Sequence, residues 1–448
     1  MTPILFVLGL LQIAGPIVSA PEESRAVAVA AEVRRLDSRA LWPGFDPSKV
    51  PLAIFDGEKT FLFRHPHPPP EFRPVADLPE TAIAPGHHPL VRANTSISLG
   101  GVRTATLLLD GSEKNPVSES AALAVHEAFH VFQTERHPKW GGNEADLFTY
   151  PTDDPILLQL SRLETESLRR ALAAGDRKVA ACWAAAALDL RRRRFTALGE
   201  TGALYERGTE LKEGLARLVE SRARAASSEP VLPKEDFAPG DVRSRSYAVG
   251  HAFGVLLDRF APGWDAGLER AGEKTLDGLL AQALSTEPAG RPCRFPARET
   301  AEALDRAKRS VELTRLTRAA IRDDFFGKPG WRIVVVAASE PLLPQGFDPL
   351  NVETLGPGEV LHTRWVKLGN SAGSLEVLDA RAVTESSGTH PLFEGVRRVT
   401  VTGVREEPEV RESATGISLK AAGVTAEFAG ARLERSDRTI TVLVSKKP

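Results

Sequence analysis

The residues best suited to chemistry in this 448-residue sequence are two histidines spaced four apart, with a glutamate directly after the first. They form the pattern H-E-x-x-H, as His126, Glu127 and His130. Residues with this spacing lie one turn apart on the same face of a helix, so both imidazoles can bind one metal ion. Glu127 is too far round the helix to be a natural third ligand, but it can take a proton from a water that the metal activates. The pattern predicts a zinc site, and the alternative is a core helix with two hydrogen-bonded histidines.

The residues that flank the motif predict the elements that would position it. Glu119–Gln133 has apolar residues at helical spacing, and a serine is available to cap its first turn. Just upstream, Ser96–Leu99 and Val102–Asp110 are typical of paired strands, with Gly100-Gly101 at the turn between them. We therefore expect a hairpin followed by the helix that carries the histidines.

A catalytic zinc site usually has three protein ligands, and the motif supplies two. A third histidine six residues beyond His130 is absent, since Arg136 stands there. We therefore expect a carboxylate further along the chain to complete the site. The candidates are Glu213, Glu164 and Glu144.

Two of these glutamates have other interpretations. Glu164 falls on an apolar helix stripe, where an unpaired carboxylate is costly, so it needs either a metal or an arginine as its partner. Glu213 shares a helix stripe with Glu206 and Glu220, which also fits a solvated acidic face.

Hydrolysis of an acyl group also needs a hydrogen-bond donor for the tetrahedral oxyanion. Tyr247 and His251 are candidates, because residues four apart share a helix face. The alternative is a core tyrosine and a capping histidine.

The motif and the stretch Glu213-Gly214-Leu215-Ala216 together resemble the zincin superfamily, gluzincin branch, over roughly residues 95–260. The second stretch is similar to Asn-Glu-Gly-Phe-Ala of gluzincin aminopeptidases, whose glutamate is the third ligand, although Glu213 lies much further from His130 than in those enzymes. On this resemblance Glu213 ranks first, Glu164 second and Glu144 third. It also implies a substrate that binds as an added strand at the upstream sheet edge, and an oxyanion donor from Tyr247 or His251.

The resemblance implies a zinc metallopeptidase in which Glu127 deprotonates the attacking water. Two alternatives stay open. One is a non-catalytic binding protein on a zincin scaffold, and the other is a zinc hydrolase of non-peptide amides or esters. For the zinc metallopeptidase, the expected partner is a peptide or protein substrate.

The order of predicted elements indicates an α+β protein with three parts. Residues 1–20 resemble a secretory signal peptide that ends in Val18-Ser19-Ala20, or else an uncleaved anchor, which favours a secreted or periplasmic protein. Residues 21–326 form the mainly helical, zincin-like domain with its small upstream sheet. After Gly327-Lys328-Pro329-Gly330, seven β-rich runs predict a sandwich-like all-β domain over residues 331–448.

The composition excludes several classes of partner. A net charge of −2 and a normal hydrophobic content of 42 % indicate neither a nucleic-acid partner nor a membrane surface beyond the N-terminal segment. We interpret Arg191–Arg194 as a solvated helix face, and the histidines in His65–His67 and His87-His88 as loop residues rather than ligands. Cys182 and Cys293 can form one bridge in an oxidising compartment, or remain buried thiols.

Overall fold

The computed structural model of the protein describes residues 24–36, 38–109, 115–224, 230–271, 274–287, 292–348 and 351–445. Its helices and strands are largely segregated along the chain, which confirms the predicted α+β class. The expected signal peptide, residues 1–20, lies outside the described residues. Among the described helices, none combines the length and apolar character needed to cross a bilayer.

The first part of the described chain forms a six-stranded sheet. Helices α1 (Arg25–Arg35) and α2 (Ser38–Leu41) precede it. The strands are β1 (Leu52–Phe55), β2 (Lys59–Phe63), β3 (Arg73–Pro74), β4 (Thr81–Pro85), β5 (Thr95–Leu99) and β6 (Val102–Leu108). Their order in the sheet is β3-β4-β2-β1-β6-β5, with β1 and β6 parallel and the other neighbours antiparallel.

The expected hairpin is confirmed as β5 and β6. Its turn residues, Gly100 and Gly101, have φ of 53° and 82°, a backbone region that residues with a Cβ atom rarely adopt. β5 is the outer strand of the sheet, and the motif helix packs against both strands of this hairpin.

A helical bundle follows the sheet. The motif helix α3 (Val117–Arg136) packs its apolar side into the same core as β1 and β6. The remaining helices are α4 (Pro155–Ala173), α5 (Arg177–Leu198), α6 (Glu200–Thr209), α7 (Leu215–Ala223), α8 (Val242–Phe260), α9 (Trp264–Ala271), α10 (Leu276–Leu284) and α11 (Ala297–Gly327).

Two predictions of local structure need correction. The sequence predicts one helix over Ala203–Ala226, but a π-helical turn, Glu210–Gly214, separates α6 from α7. It also predicts a polar, Gly/Pro-rich loop over His137–Asp153, and this segment contains a 3₁₀ helix, Glu144–Thr149, where the Asn143 side chain accepts a hydrogen bond from the Ala145 N–H. Hydrophobic spacing cannot reveal either feature. A single π-helical turn contains one more residue than an α-helical turn, and a 3₁₀ turn contains fewer, but neither change alters the local composition.

After α11 the described chain forms two antiparallel-rich sheets that share one apolar core. The strands are β7 (Trp331–Ala337), β8 (Leu343–Phe347), β9 (Val352–Gly356), β10 (Glu359–His362), β11 (Trp365–Asn370), β12 (Gly373–Leu378), β13 (Ala382–Ser386), β14 (Val396–Val404), β15 (Glu409–Ser413), β16 (Gly416–Ala421), β17 (Val424–Ala429), β18 (Arg432–Ser436) and β19 (Thr439–Val444). The first sheet has the order β18-β19-β7-β14-β13-β10-β9 and the second has the order β15-β16-β17-β12-β11-β8.

The differences from the seven predicted runs follow from strand position. Two of the predicted runs, Val360–Lys367 and Leu375–Val383, each break into two strands, and the chain moves from one sheet to the other at each break. The four strands that the sequence did not predict are β8, β9, β15 and β18, which are the two outer strands of each of the two sheets. Outer strands carry few buried apolar residues, so they lack the alternation that marks an inner strand. The proposed domain boundary after α11 stays a prediction.

Cys182 and Cys293 form a disulfide. The bridge joins α5 to the segment that precedes α11, and the Cys293 N–H also donates to the Cys182 carbonyl at 3.2 Å. Of the two states that the sequence left open, the structure therefore has the bridge.

We expect removal of this disulfide to lower the free energy of unfolding by about 4–5 kcal/mol, because the bridge closes a long loop and restricts the unfolded chain. The two half-cystines are 111 residues apart. The comparison is urea unfolding of the wild type with and without reductant. A variant with both Cys182→Ser and Cys293→Ser is the control and should be insensitive to reductant. Identical midpoints for oxidised and reduced wild type would contradict the expectation.

Candidate metal centre

His126, His130 and Glu213 form one buried group, which we call the metal group. The two Nε2 atoms lie 3.1 Å apart. Oε2 of Glu213 is 3.2 Å from Nε2 of His130 and 3.9 Å from Nε2 of His126. Three helices, α4, α5 and α6, lie between the motif helix and Glu213 in the chain, which accounts for the long sequence separation.

These distances fit a small divalent cation. Ligand atoms about 2.0–2.1 Å from a tetrahedral ion lie roughly 3.3–3.4 Å from one another, and the three observed separations bracket that value. Two imidazole nitrogens and one carboxylate oxygen are a donor set typical of a site that keeps one position open. The metal group can therefore bind a metal ion.

The other nitrogen of each imidazole is also held. Nδ1 of His126 donates to Oε2 of Glu220 at 2.9 Å, and Glu220 in turn accepts from Arg224 at 2.7 Å. Nδ1 of His130 lies 2.9 Å from Oε1 of Gln133. Partners of this kind fix the ring orientation and leave the Nε2 lone pair directed at the metal position.

Gln133 connects the motif helix to the π-helical turn. Its Nε2 donates to the carbonyls of Leu211 at 3.0 Å and Lys212 at 2.9 Å. Only the amide nitrogen can donate to two carbonyls, so Oε1 must face His130 and accept from its Nδ1–H. One buried side chain therefore fixes the tautomer of a histidine and the position of the turn that carries Glu213.

The π-helical turn, Glu210–Gly214, directs Glu213 toward the histidines. π-helical turns are rare and are frequently found at functional sites. The next residue, Gly214, faces Gly250 of α8 so closely that a Cβ on Gly214 would lie 2.5 Å from the Gly250 Cα. A glycine next to Glu213 predicts the close approach of a neighbouring helix, and that helix is α8.

Glu164 does not belong to the metal group, which corrects its ranking as a candidate ligand. Its carboxylate is fully buried and is bound by three guanidinium groups at 2.9–3.0 Å, those of Arg191, Arg194 and Arg245. The sequence required a metal or an arginine as the partner of this carboxylate, and the structure provides arginines.

The interpretation of Arg191–Arg194 as a solvated face is wrong for its first and last members. Arg191 and Arg194 are each 1 % exposed, whereas the two arginines between them are exposed. Residues three apart share a helix face, so this pair points into the bundle and the middle pair points to solvent. The acidic-face interpretation fails in the same way, since Glu206, Glu213 and Glu220 are all buried.

Burial is the largest influence on the ionisation of Glu127, His126 and Glu213. It raises the pKa of the Glu127 carboxyl, against the attraction of both histidines. Burial acts to lower the pKa of His126, but its interactions with the carboxylates of Glu213 and Glu220 outweigh it and raise the pKa to about 9. Burial also opposes ionisation of Glu213, but the two histidines hold its pKa well below the usual range. A cation that binds here replaces a histidine proton, so metal binding releases protons.

The structure separates the two predicted oxyanion donors. Tyr247 lies beside Glu213, and burial together with the negative charge of that glutamate raises the pKa of the Tyr247 hydroxyl, which keeps it a donor. His251 lies one turn further along α8, where its Nε2 is 3.1 Å from Oγ of Ser221 and burial lowers its pKa to about 4. Among the described residues His251 makes no hydrogen bond to the metal group.

Glu144, the third candidate ligand, lies beside the metal group rather than in it. Its carboxylate accepts from the Tyr205 hydroxyl at 3.4 Å and lies 3.6 Å from Nε of Arg243. Sequence reasoning missed Arg243, Gln133 and the role of Glu220. The signal for Gln133 was its place three residues after His130, on the same face of α3.

Three of the histidines that the sequence assigned to loops, His65, His87 and His88, have protein partners for their side chains. Nε2 of His65 lies 2.9 Å from the Leu99 carbonyl, and Nε2 of His88 lies 3.0 Å from Glu71. In the described part of the chain, the metal group is the set of three His, Cys, Asp or Glu side chains whose ligand atoms all lie within 4.8 Å of one another. Comparison of the chain with models of protein families, with curated proteins and with solved structures gave no match.

We expect Gln133→Leu to weaken binding of Zn²⁺ about 10–100-fold, because the substitution removes the acceptor for His130 and the donor for the π-helical turn. Competition with a chromogenic chelator measures the affinity. Gln159→Leu is the matched control, since Gln159 also donates to a backbone carbonyl, that of Thr300, but on α4 and outside the metal group. Equal affinities for the two variants would contradict the role of Gln133.

Proposed function

We propose that this protein is a zinc metallopeptidase of gluzincin type that hydrolyses peptide bonds. The observation that carries the proposal is the buried metal group, with Glu127 directly beside its first histidine. His126, His130 and Glu213 would hold the zinc ion. When bound, zinc lowers the pKa of a coordinated water toward about 7 and polarises the scissile carbonyl.

The side chains around the metal group divide the remaining work. Glu127 accepts the proton of the attacking water and delivers it to the leaving amine, so that one water yields one acid and one amine. Tyr247 donates a hydrogen bond to the oxyanion of the tetrahedral intermediate. His251 has no part in this scheme, because its ring is directed to Ser221.

The upstream sheet supports a peptide as the substrate. β5 is an outer strand that packs against the motif helix, so its free edge can pair with an extended peptide. Main-chain pairing of this kind places a peptide carbonyl alongside the helix that carries the catalytic glutamate.

The disulfide supports the proposal that the protein is exported. Structural disulfides form and persist in oxidising compartments, such as the periplasm or the extracellular space. A secreted or periplasmic peptidase agrees with the signal peptide that the sequence predicts.

Glu127→Gln should lower turnover by about 10²–10⁴-fold or more while zinc stays bound, because the amide cannot accept the water proton but leaves the ligands unchanged. Digestion of a broad peptide library by wild type and variant, with zinc content measured in parallel, tests this. Glu135→Gln is the matched control, since Glu135 is an exposed carboxylate on the same helix.

The other functions predict different results. A protein that takes up no zinc after exposure to Zn²⁺ would favour the non-catalytic binding protein. Zinc uptake with hydrolysis of esters or non-peptide amides, but of no peptide in the library, would favour the second alternative. Full activity of Glu127→Gln would contradict the mechanism.

A further inference from the structure

Arg243 is a cation in direct contact with a residue of the metal group. It lies on α8 one turn before Tyr247, and its guanidinium carbon is 5.5 Å from the centre of that ring. Nη2 of Arg243 is 3.6 Å from Oε1 of Glu213, whereas Oε2 of the same carboxylate faces the two histidines. The two oxygens of Glu213 therefore face different partners, with the metal position on one side and Arg243 on the other.

The guanidinium of Arg243 is paired in charge but not in hydrogen bonds. Its distances to Glu213 and Glu144 are both 3.6 Å, beyond normal hydrogen-bond length. Its Nε is buried and has no hydrogen-bond partner among the described residues. By contrast, Arg191 donates to Glu210 at 2.6 and 2.8 Å. A buried donor without an acceptor is costly, so the unmet Nε–H of Arg243 is consistent with a guanidinium that takes its hydrogen bonds from a ligand.

Arg243 is also accessible. Its side chain is 34 % exposed, and Glu144 on its outer side is 41 % exposed. Glu144, which pairs with Arg243, and Val242, its neighbour in the chain, line a cavity of about 300 Å³ whose other side is formed by residues of α11 and β9. The exposed part of the Arg243 side chain is where the end of a peptide chain would bind.

We propose that Arg243 binds the free C-terminal carboxylate of the substrate, so that the enzyme acts as a carboxypeptidase. The proposal rests on the proposed peptidase function. The planar guanidinium matches a carboxylate with two parallel N–H donors, and such a pair contributes geometric specificity as well as binding energy. Adjacent residues are about 3.8 Å apart, so a cation that contacts a metal ligand can reach the first or second residue beyond the scissile bond.

The first test needs no variant. N-acetylated peptides of one sequence are compared as the C-terminal acid and the C-terminal amide, and cleavage sites are read by mass spectrometry. We expect kcat/KM for the acid to exceed that for the amide by about 10–100-fold, with cleavage one or two residues from the C-terminus. Equal values for acid and amide in the wild type overturn the proposal and leave the peptidase function intact.

Variants of Arg243 show whether this residue is responsible. Arg243→Met should reduce kcat/KM for the acid to the level of the amide, mainly through KM, and Arg243→Lys should retain part of the preference. Arg298→Met, on the exposed face of α11, is the control and should leave kcat/KM unchanged for both the acid and the amide. An equal loss for acid and amide, or loss of zinc from Arg243→Met, assigns the residue to the scissile carbonyl or to Glu213 and overturns the proposal.

Binding without turnover separates the two claims. Calorimetry of Glu127→Gln with the acid and amide peptides should show tighter binding of the acid, and Arg243→Met in that background should abolish the difference. If the acid binds more tightly but no peptide is ever cleaved, the peptidase function fails while the carboxylate site stands.

Discussion

The amide of Gln133 is the constraint on which the rest of the metal centre depends. It accepts from His130 and donates to two carbonyls of the π-helical turn, all at 2.9–3.0 Å. An imidazole ring and a distant glutamate are thereby fixed relative to each other through one side chain. The motif alone sets the spacing of two ligands on one helix, and this amide sets where the third one can be.

A buried charge network holds the other end of the same turn. Glu210, its first residue, binds Arg191, which also binds Glu164 and Asp277 from two further helices. Buried ion pairs contribute little net stability, but each becomes very unfavourable if a partner is removed. A network of this kind therefore selects one arrangement of helices over others, and here that arrangement presents Glu213 to the histidines.

What could be predicted from the sequence was short in range. The H-E-x-x-H pattern predicted two ligands and a base because residues four apart lie one helical turn apart, and Glu213 was ranked first on a local resemblance. Partners chosen by packing were not visible, since nothing in an apolar stripe says that Glu164 meets arginines rather than a metal. The π-helical turn has the composition of an α-helix, and the outer strands have the composition of loops, so neither had a distinguishing pattern.

The contacts around the metal group are also unequal in length. Glu220 and Gln133 accept hydrogen bonds of 2.9 Å from its two histidines, whereas Arg243 lies 3.6 Å from both Glu213 and Glu144. The 3₁₀ segment that carries Glu144 is itself held from outside. His390 donates to its Ala145 carbonyl at 3.0 Å, and Phe148 packs edge-on against Phe347. Since both partners belong to the β-rich part of the chain, that part holds in place the segment on which Glu144 lies beside Arg243.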